Sequence, residues 1–213
     1  MKKVAVFLLP LLLVALSAHA ADVDVVHALS SVGCQVHEAS LCDLVADAVR
    51  EASGAPISLL PAGTFREMNL RAGTTKSEEI LKSVLYPDDQ IVLMSITGRQ
   101  LTRALERSVR INPQKNLGFL QVSGVAFSFD PNGPKNARVK SVQVGDQPLK
   151  EDQAYLVATT ESLADGAQGY FSVWEKVKPS STGQTIARTL TWFLAKHDKL
   201  DYSGNDRITI AGH

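Results

Sequence analysis

Apolar positions along the chain alternate between helical and extended spacing. Leu41, Leu44, Val45, Ala48 and Val49 recur on one helical face, which predicts a helix over residues 41–52, capped by Ser40 and stopped by Gly54. Residues 57–60 form a short apolar run closed by Pro61-Ala62-Gly63, a buried strand ending in a tight loop. Ser77 opens a second short helix running to Leu85, and Tyr86-Pro87-Asp88-Asp89 reads as a turn. Residues 91–96 suit a buried strand. Thr97 then starts a helix with Leu101, Ala104, Leu105 and Val109 on one side.

Beyond Pro113 the period changes to two. Val125, Phe127 and Phe129 alternate with Ala126, Ser128 and Asp130, as in a half-buried strand. Residues 130–134 make a hairpin-like loop. Residues 139–144 and 155–159 are further strands. A last helix is expected over residues 182–196 with Ile186, Leu190 and Leu194 as its stripe, and residues 208–210 close the chain as a strand. The pattern predicts an α/β (α+β) fold, a single domain with a mixed sheet.

The first twenty residues stand apart. Lys2 and Lys3 precede an apolar run from Val4 to Leu16, and Ala18-His19-Ala20 is a small-x-small cleavage site, together the signature of a secretory signal peptide. The expected organisation is residues 1–20 as signal and 21–213 as the folded domain, with a secreted or periplasmic destination and no membrane span after cleavage. Of the 213 residues, 193 then remain. The whole chain carries 22 basic and 22 acidic residues. Losing Lys2 and Lys3 leaves a slight acidic excess. That balance excludes the basic surface a nucleic-acid binder needs, and the apolar content excludes a disordered chain. Export also favours a disulfide between Cys34 and Cys42; a reactive thiol pair is the lesser alternative, since the spacing is not Cys-x-x-Cys.

Self-contained chemistry is sparse. His27, His37, His197 and His213 are scattered, so no metal site is expected in this chain. No phosphate-binding Gly-x-x-x-x-Gly-Lys loop and no Gly-x-Ser-x-Gly elbow occurs. Arg99, Arg103, Arg107 and Arg110 lie along one helix and read as a solvated face. Two loops can cradle a small polar ligand. In residues 61–66, Gly63 lets the backbone approach and Arg66 can bind a phosphate or carboxylate. In residues 165–170, Tyr170 can stack on a base.

These pieces resemble, in order, the C-terminal domain of the 5′-nucleotidase family. The resemblance spans about residues 34–174. It rests on residues 38–48, 60–66, 84–87 and 96–101, on Phe119-Leu120-Gln121-Val122-Ser123-Gly124-Val125, and on residues 165–170. It implies a substrate-holding domain in which two aromatic rings sandwich a base beside a glycine-rich loop with an arginine. The substrate residues it implies are Gly63, Arg66, Tyr86 and Tyr170, with the second aromatic wall falling at Pro87 and Tyr86 beside it. The chain departs from the family at Pro61, Ala62 and Thr64, where the family has an asparagine and glycines, and at Gln35, where it has an arginine. The family's hydrolytic metals belong to a separate metallophosphatase domain, whose signatures do not occur in this sequence. No catalytic residue and no cofactor is therefore expected here. Two readings follow: a nucleotide- or nucleoside-binding domain, non-catalytic alone and completing a metallophosphatase chain in trans, or an envelope interaction module that has lost its ligand.

Overall fold

The computed structural model describes residues 22–204 and 206–211, so the expected signal peptide lies outside the described residues. The chain begins with β1 (Asp22–Val25) and β2 (Leu29–Ser30), then α1 (Ser40–Ser53) and β3 (Ile57–Pro61). A one-turn 3-10 segment, Ala62–Thr64, leads to β4 (Asn69–Leu70), β5 (Gly73–Lys76) and α2 (Ser77–Leu81). Then come β6 (Gln90–Thr97), α3 (Gly98–Val109), β7 (Leu120–Ser123), β8 (Val125–Phe129), β9 (Val139–Val144) and β10 (Gln147–Pro148). The last part holds β11 (Ala154–Thr160), α4 (Glu161–Ala164), β12 (Ser180–Thr185), α5 (Ile186–Lys196), β13 (Lys199–Leu200) and β14 (Ile208–Ile210).

The central sheet is mixed, in the order β12-β6-β11-β3-β7. β11 and β3 run parallel, with Val157 opposite Ile57 and Thr159 opposite Leu59, and the other pairs are antiparallel. Smaller sheets, β13-β1-β5, β10-β9-β8-β14 and the β2-β4 pair, surround it. The α/β class is as the periodicity implies, but the strands divide among several sheets. α1 lies against β3 and β7 and packs on α5. It buries Leu41, Leu44, Val45, Ala48 and Val49, the residues of the expected stripe. Gly54 ends it in the left-handed region at φ 69°, a conformation a Cβ disfavours.

Three local expectations are corrected. Ser40 is not the cap of α1. Ala39 holds that position, and the Ser40 hydroxyl instead accepts from the Ser30 amide at 3.0 Å. α2 ends at Leu81 rather than Leu85, because the following residues turn so that Val84 can bridge Phe65. Residues 182–185 are strand, not helix. The Thr182 hydroxyl donates to the Ile91 carbonyl on β6, Gly183 takes φ 67°, and Thr185 caps α5 by accepting from the Arg188 amide. The Thr97 start of α3 does hold. Its side chain accepts from the Gln100 amide while Gln100 returns a bond to the Thr97 amide, a capping box.

A charged cluster ties α1 to the chain's last strand. Arg207 binds both carboxylate oxygens of Asp47 at 2.9 Å, and the Ile208 amide donates to Glu38 at 2.9 Å. Asp43, 1% exposed, sits between them, faced by Glu38, Asp47, Arg207 and Tyr202. Burial, opposed by Arg207, pushes its carboxyl up to about 8. Burial thus favours the protonated form of Asp43 beside Glu38, whose own carboxyl is also raised by burial. This proton spares two carboxylates from facing each other as bare charges. The neutral form's contribution to stability is full below the unfolded value near 4 and is lost as pH rises towards 8. Asp43→Asn, a neutral isostere, is expected to flatten the fall in denaturant midpoint between about pH 5 and pH 8. An unchanged pH slope in the variant would contradict the shared proton.

Candidate functional site

β3 and β11 are parallel neighbours, so their carboxyl ends emerge at the same edge of the sheet, the place where open α/β sheets hold ligands. A cleft of about 530 Å³ opens there. Three walls line it. Pro61, Gly63 and Thr64 follow β3. Leu85, Tyr86, Pro87, Asp88 and Asp89 form the turn before β6. Thr160, Ser162, Leu163, Ala167 and Gln168 follow β11.

Backbone bonds fix each wall. The Gly63 amide donates to the Leu117 carbonyl at 2.8 Å, and the Leu85 amide donates to the Thr64 carbonyl at 2.9 Å, joining the first wall to the second. The first amides of α5 have no helical partner of their own. Ile186 and Ala187 donate instead to the Asp89 and Pro87 carbonyls, at 3.1 and 2.8 Å, which anchors the turn. Thr160 caps α4 by accepting from the Leu163 amide, and Gln168 takes φ 56° in the third wall. A side chain added at Gly63 would start 3.6 Å from the Gln168 amide nitrogen across the cleft, so a larger residue there narrows it.

The four expected substrate residues separate into two pairs. Gly63 and Tyr86 meet in the cleft, with the Tyr86 ring 64% exposed. Arg66 and Tyr170 are not among the cleft-lining residues. Arg66 is exposed further along the loop, its amide donating to the Ser83 carbonyl and its carbonyl accepting from the Ser31 hydroxyl. Tyr170 is fully buried. Its hydroxyl donates to the Gly118 carbonyl at 2.7 Å, its ring stacks on Trp174 at 5.5 Å, and burial pushes the phenol well above its usual value. The aromatic wall expected at Tyr170 is therefore a core residue, and Ala167 and Gln168 occupy the cleft in its place. The neighbouring ring, Phe171, is 72% exposed but lies outside the lining residues.

The cleft also holds Asp88 and Asp89, which the sequence marked only as turn residues. They line it together with Thr64, Thr160 and Ser162, and Tyr86 is the one aromatic residue among the lining. Two acidic residues in the lining disfavour an anionic group beside them.

Cys34 and Cys42 are both buried free thiols rather than the expected disulfide. The Cys42 thiol donates to Cys34, which lowers the Cys34 thiol, while burial raises Cys42. Among the described residues, no group of three or more His, Cys, Asp or Glu side chains could hold a metal ion, and no helix is long and apolar enough to cross a membrane.

A mixed sheet with a cleft at the ends of a parallel strand pair defines the α/β architecture of this domain. The model of the family "5′-nucleotidase, C-terminal domain" matches residues 17–175, and the chain belongs to that family. It is 26% identical over 190 residues to an apyrase of Aedes albopictus, covering 83% of this chain and 33% of the apyrase. It is 30% identical over 198 residues to a snake venom 5′-nucleotidase of Macrovipera lebetinus, covering 83% of this chain and 48% of that protein. The chain thus spans a third to a half of the length of these relatives. The fold is that of the 5′-nucleotidase precursor of Thermus thermophilus, with a TM-score of 0.81 and 23% identity, over 90% of this chain and 39% of that one.

If Tyr170 is a core residue, Tyr170→Phe is expected to lower unfolding free energy by about 1–2 kcal/mol, because the buried Gly118 carbonyl loses its donor. It should leave ligand affinity in the cleft unchanged. Comparing denaturant midpoint with affinity checks this, and lost affinity at unchanged stability would restore Tyr170 to the site.

Proposed function

We propose that this chain is an exported substrate-side domain that holds the nucleoside part of a nucleotide-like ligand in the cleft between Gly63 and Tyr86. The observation that carries the reading is that Tyr86, well exposed, lines a cleft with Asp88 and Asp89 at the ends of β3 and β11. Tyr86 stacks on the base, and the backbone at Gly63 makes room for the ligand's edge. Asp88 and Asp89 accept from ribose hydroxyls or exocyclic amines. A phosphate group points out of the cleft, away from these carboxylates. Hydrolysis, where it occurs, belongs to a metallophosphatase domain that acts with this one in trans and carries the divalent metals. Family membership and the match to longer 5′-nucleotidases and apyrases support this division of labour.

The second reading, an envelope interaction module without a ligand, draws on the burial of Tyr170, which leaves the cleft with one ring instead of a sandwich.

Calorimetry separates the two. Adenosine is expected to release or absorb heat on binding at millimolar concentration or below, and AMP to bind no more tightly than adenosine. Base stacking contributes about 1–3 kcal/mol, so Tyr86→Ala is expected to weaken adenosine about tenfold to a hundredfold. Absence of heat with adenosine, AMP and UDP-sugars well above millimolar overturns the nucleoside reading and leaves the interaction module.

A further inference from the structure

A second groove, of about 410 Å³, runs along α3. Arg99, Arg103, Arg107 and Arg110 all line it. Their spacing of four, four and three residues keeps them on one helical face. Like charges at this spacing repel and weaken a helix, so their counter-charges matter. Arg99 has them, since it pairs with Asp152 at 3.0 Å and Glu151 at 3.4 Å. Glu106 also faces the groove, but its carboxylate accepts from the Arg138 and Val139 amides at 3.1 and 2.8 Å. Arg103 and Arg107 donate only to neutral carbonyls, those of Ser172 at 3.0 Å and Gln168 at 2.6 Å. Each guanidinium has five N–H donors, so most of theirs remain for a ligand. Among the described residues, no carboxylate pairs with Arg103, Arg107 or Arg110. In a chain whose charges sum to zero, the four arginines of this concavity outnumber its two acidic residues, Glu106 and Glu151, and three of the four make no ion pair among the described residues.

We propose that this groove is an anion site for a compact phosphate-bearing ligand, bound by Arg103, Arg107 and Arg110. Guanidinium forks match phosphate oxygens in pairs of hydrogen bonds, and three of them together call for a ligand of charge two or more. The volume admits a pyrophosphate or a small phosphate monoester. The site is separate from the cleft and does not rest on the nucleoside reading. It nonetheless touches the cleft wall through one residue. Arg107 donates to the carbonyl of Gln168, which lines the cleft, and lies 5.9 Å from the Tyr170 ring centroid. It also packs so closely on Gly169 that a Cβ there would collide with it. An anion that draws on Arg107 therefore shifts the segment holding Gln168, which links the two sites.

NMR of the full chain tests this, with pyrophosphate, inorganic phosphate and glycerol 3-phosphate as probes and chloride at matched ionic strength as the control. The arginine Nε–Hε signals of Arg103 and Arg107 should shift and saturate with pyrophosphate, and the Gln168 and Gly169 amides should move with them. Arg110→Gln, which breaks no loop contact seen here, and Arg107→Gln should each weaken pyrophosphate at least tenfold. Arg99→Gln removes the same charge from an already paired side chain and should cost less than threefold. Equal losses in all three variants, the same shifts with chloride, or citrate binding as tightly as pyrophosphate would overturn the proposal. Vesicles of phosphatidylcholine with phosphatidic acid distinguish the source. Binding that pyrophosphate competes away assigns the site to a lipid headgroup, whereas soluble binding without vesicle retention assigns it to a free phosphate.

Discussion

The parallel pairing of β3 with β11 is the constraint on which the cleft depends. Parallel neighbours end at the same edge. Ile57–Pro61 and Ala154–Thr160 therefore deliver their following loops side by side, although a hundred residues separate them in sequence. The Thr159 hydroxyl reinforces the pairing by donating to the Leu59 carbonyl at 2.7 Å. Antiparallel β6 starts at this same edge, so the turn that carries Tyr86, Asp88 and Asp89 becomes the third wall. The α5 amides that bind the Pro87 and Asp89 carbonyls then couple the turn to the helix layer. No single loop makes the site. The strand order does, and the loops supply its chemistry.

A net charge of zero conceals a segregated distribution. Carboxylates gather in the cleft at Asp88 and Asp89, guanidinium groups gather along α3, and a third cluster joins Glu38, Asp43 and Asp47 to Arg207. The third cluster is structural. It holds α1 against β14 and avoids an excess of buried charge by keeping Asp43 protonated. The first two lie in separate concavities, joined by the hydrogen bond from Arg107 to the Gln168 carbonyl of the loop segment. Tyr170 lies beneath that segment as a pillar, stacked on Trp174, whose indole donates to the Leu163 carbonyl at 2.8 Å. Burying Tyr170 there removes from the surface the ring that the family pattern placed in the site.

Local signals were legible where the cause is local. The start of α3 at Thr97, the stop of α1 at Gly54 and the alternation of Val125, Phe127 and Phe129 all appear as the sequence implies. Features that depend on distant partners were not. β1 exists by pairing with β13 and β5, which lie far along the chain. Residues 182–185 carry no apolar stripe, and their strand state comes from β6 beside them, so extending the α5 pattern backwards misassigned them. The site divides the same way. Gly63 and Tyr86, singled out through family phrases, do line the cleft, whereas Asp88 and Asp89, which also line it, were visible only as a turn. Whether Tyr170 points into the cleft or the core depends on the Gly118 carbonyl, which no local pattern reveals.

The most direct test of the account is amide-resolved NMR of the chain titrated with adenosine. The expected perturbations fall on all three walls together, at Gly63 and Thr64, at Tyr86 to Asp89, and at Ser162 and Gln168, reaching α3 only at Arg107, which donates to the Gln168 carbonyl. Perturbations confined to one wall, or centred on α3, or absent at saturating adenosine, would contradict a nucleoside cleft built by the β3–β11 pair.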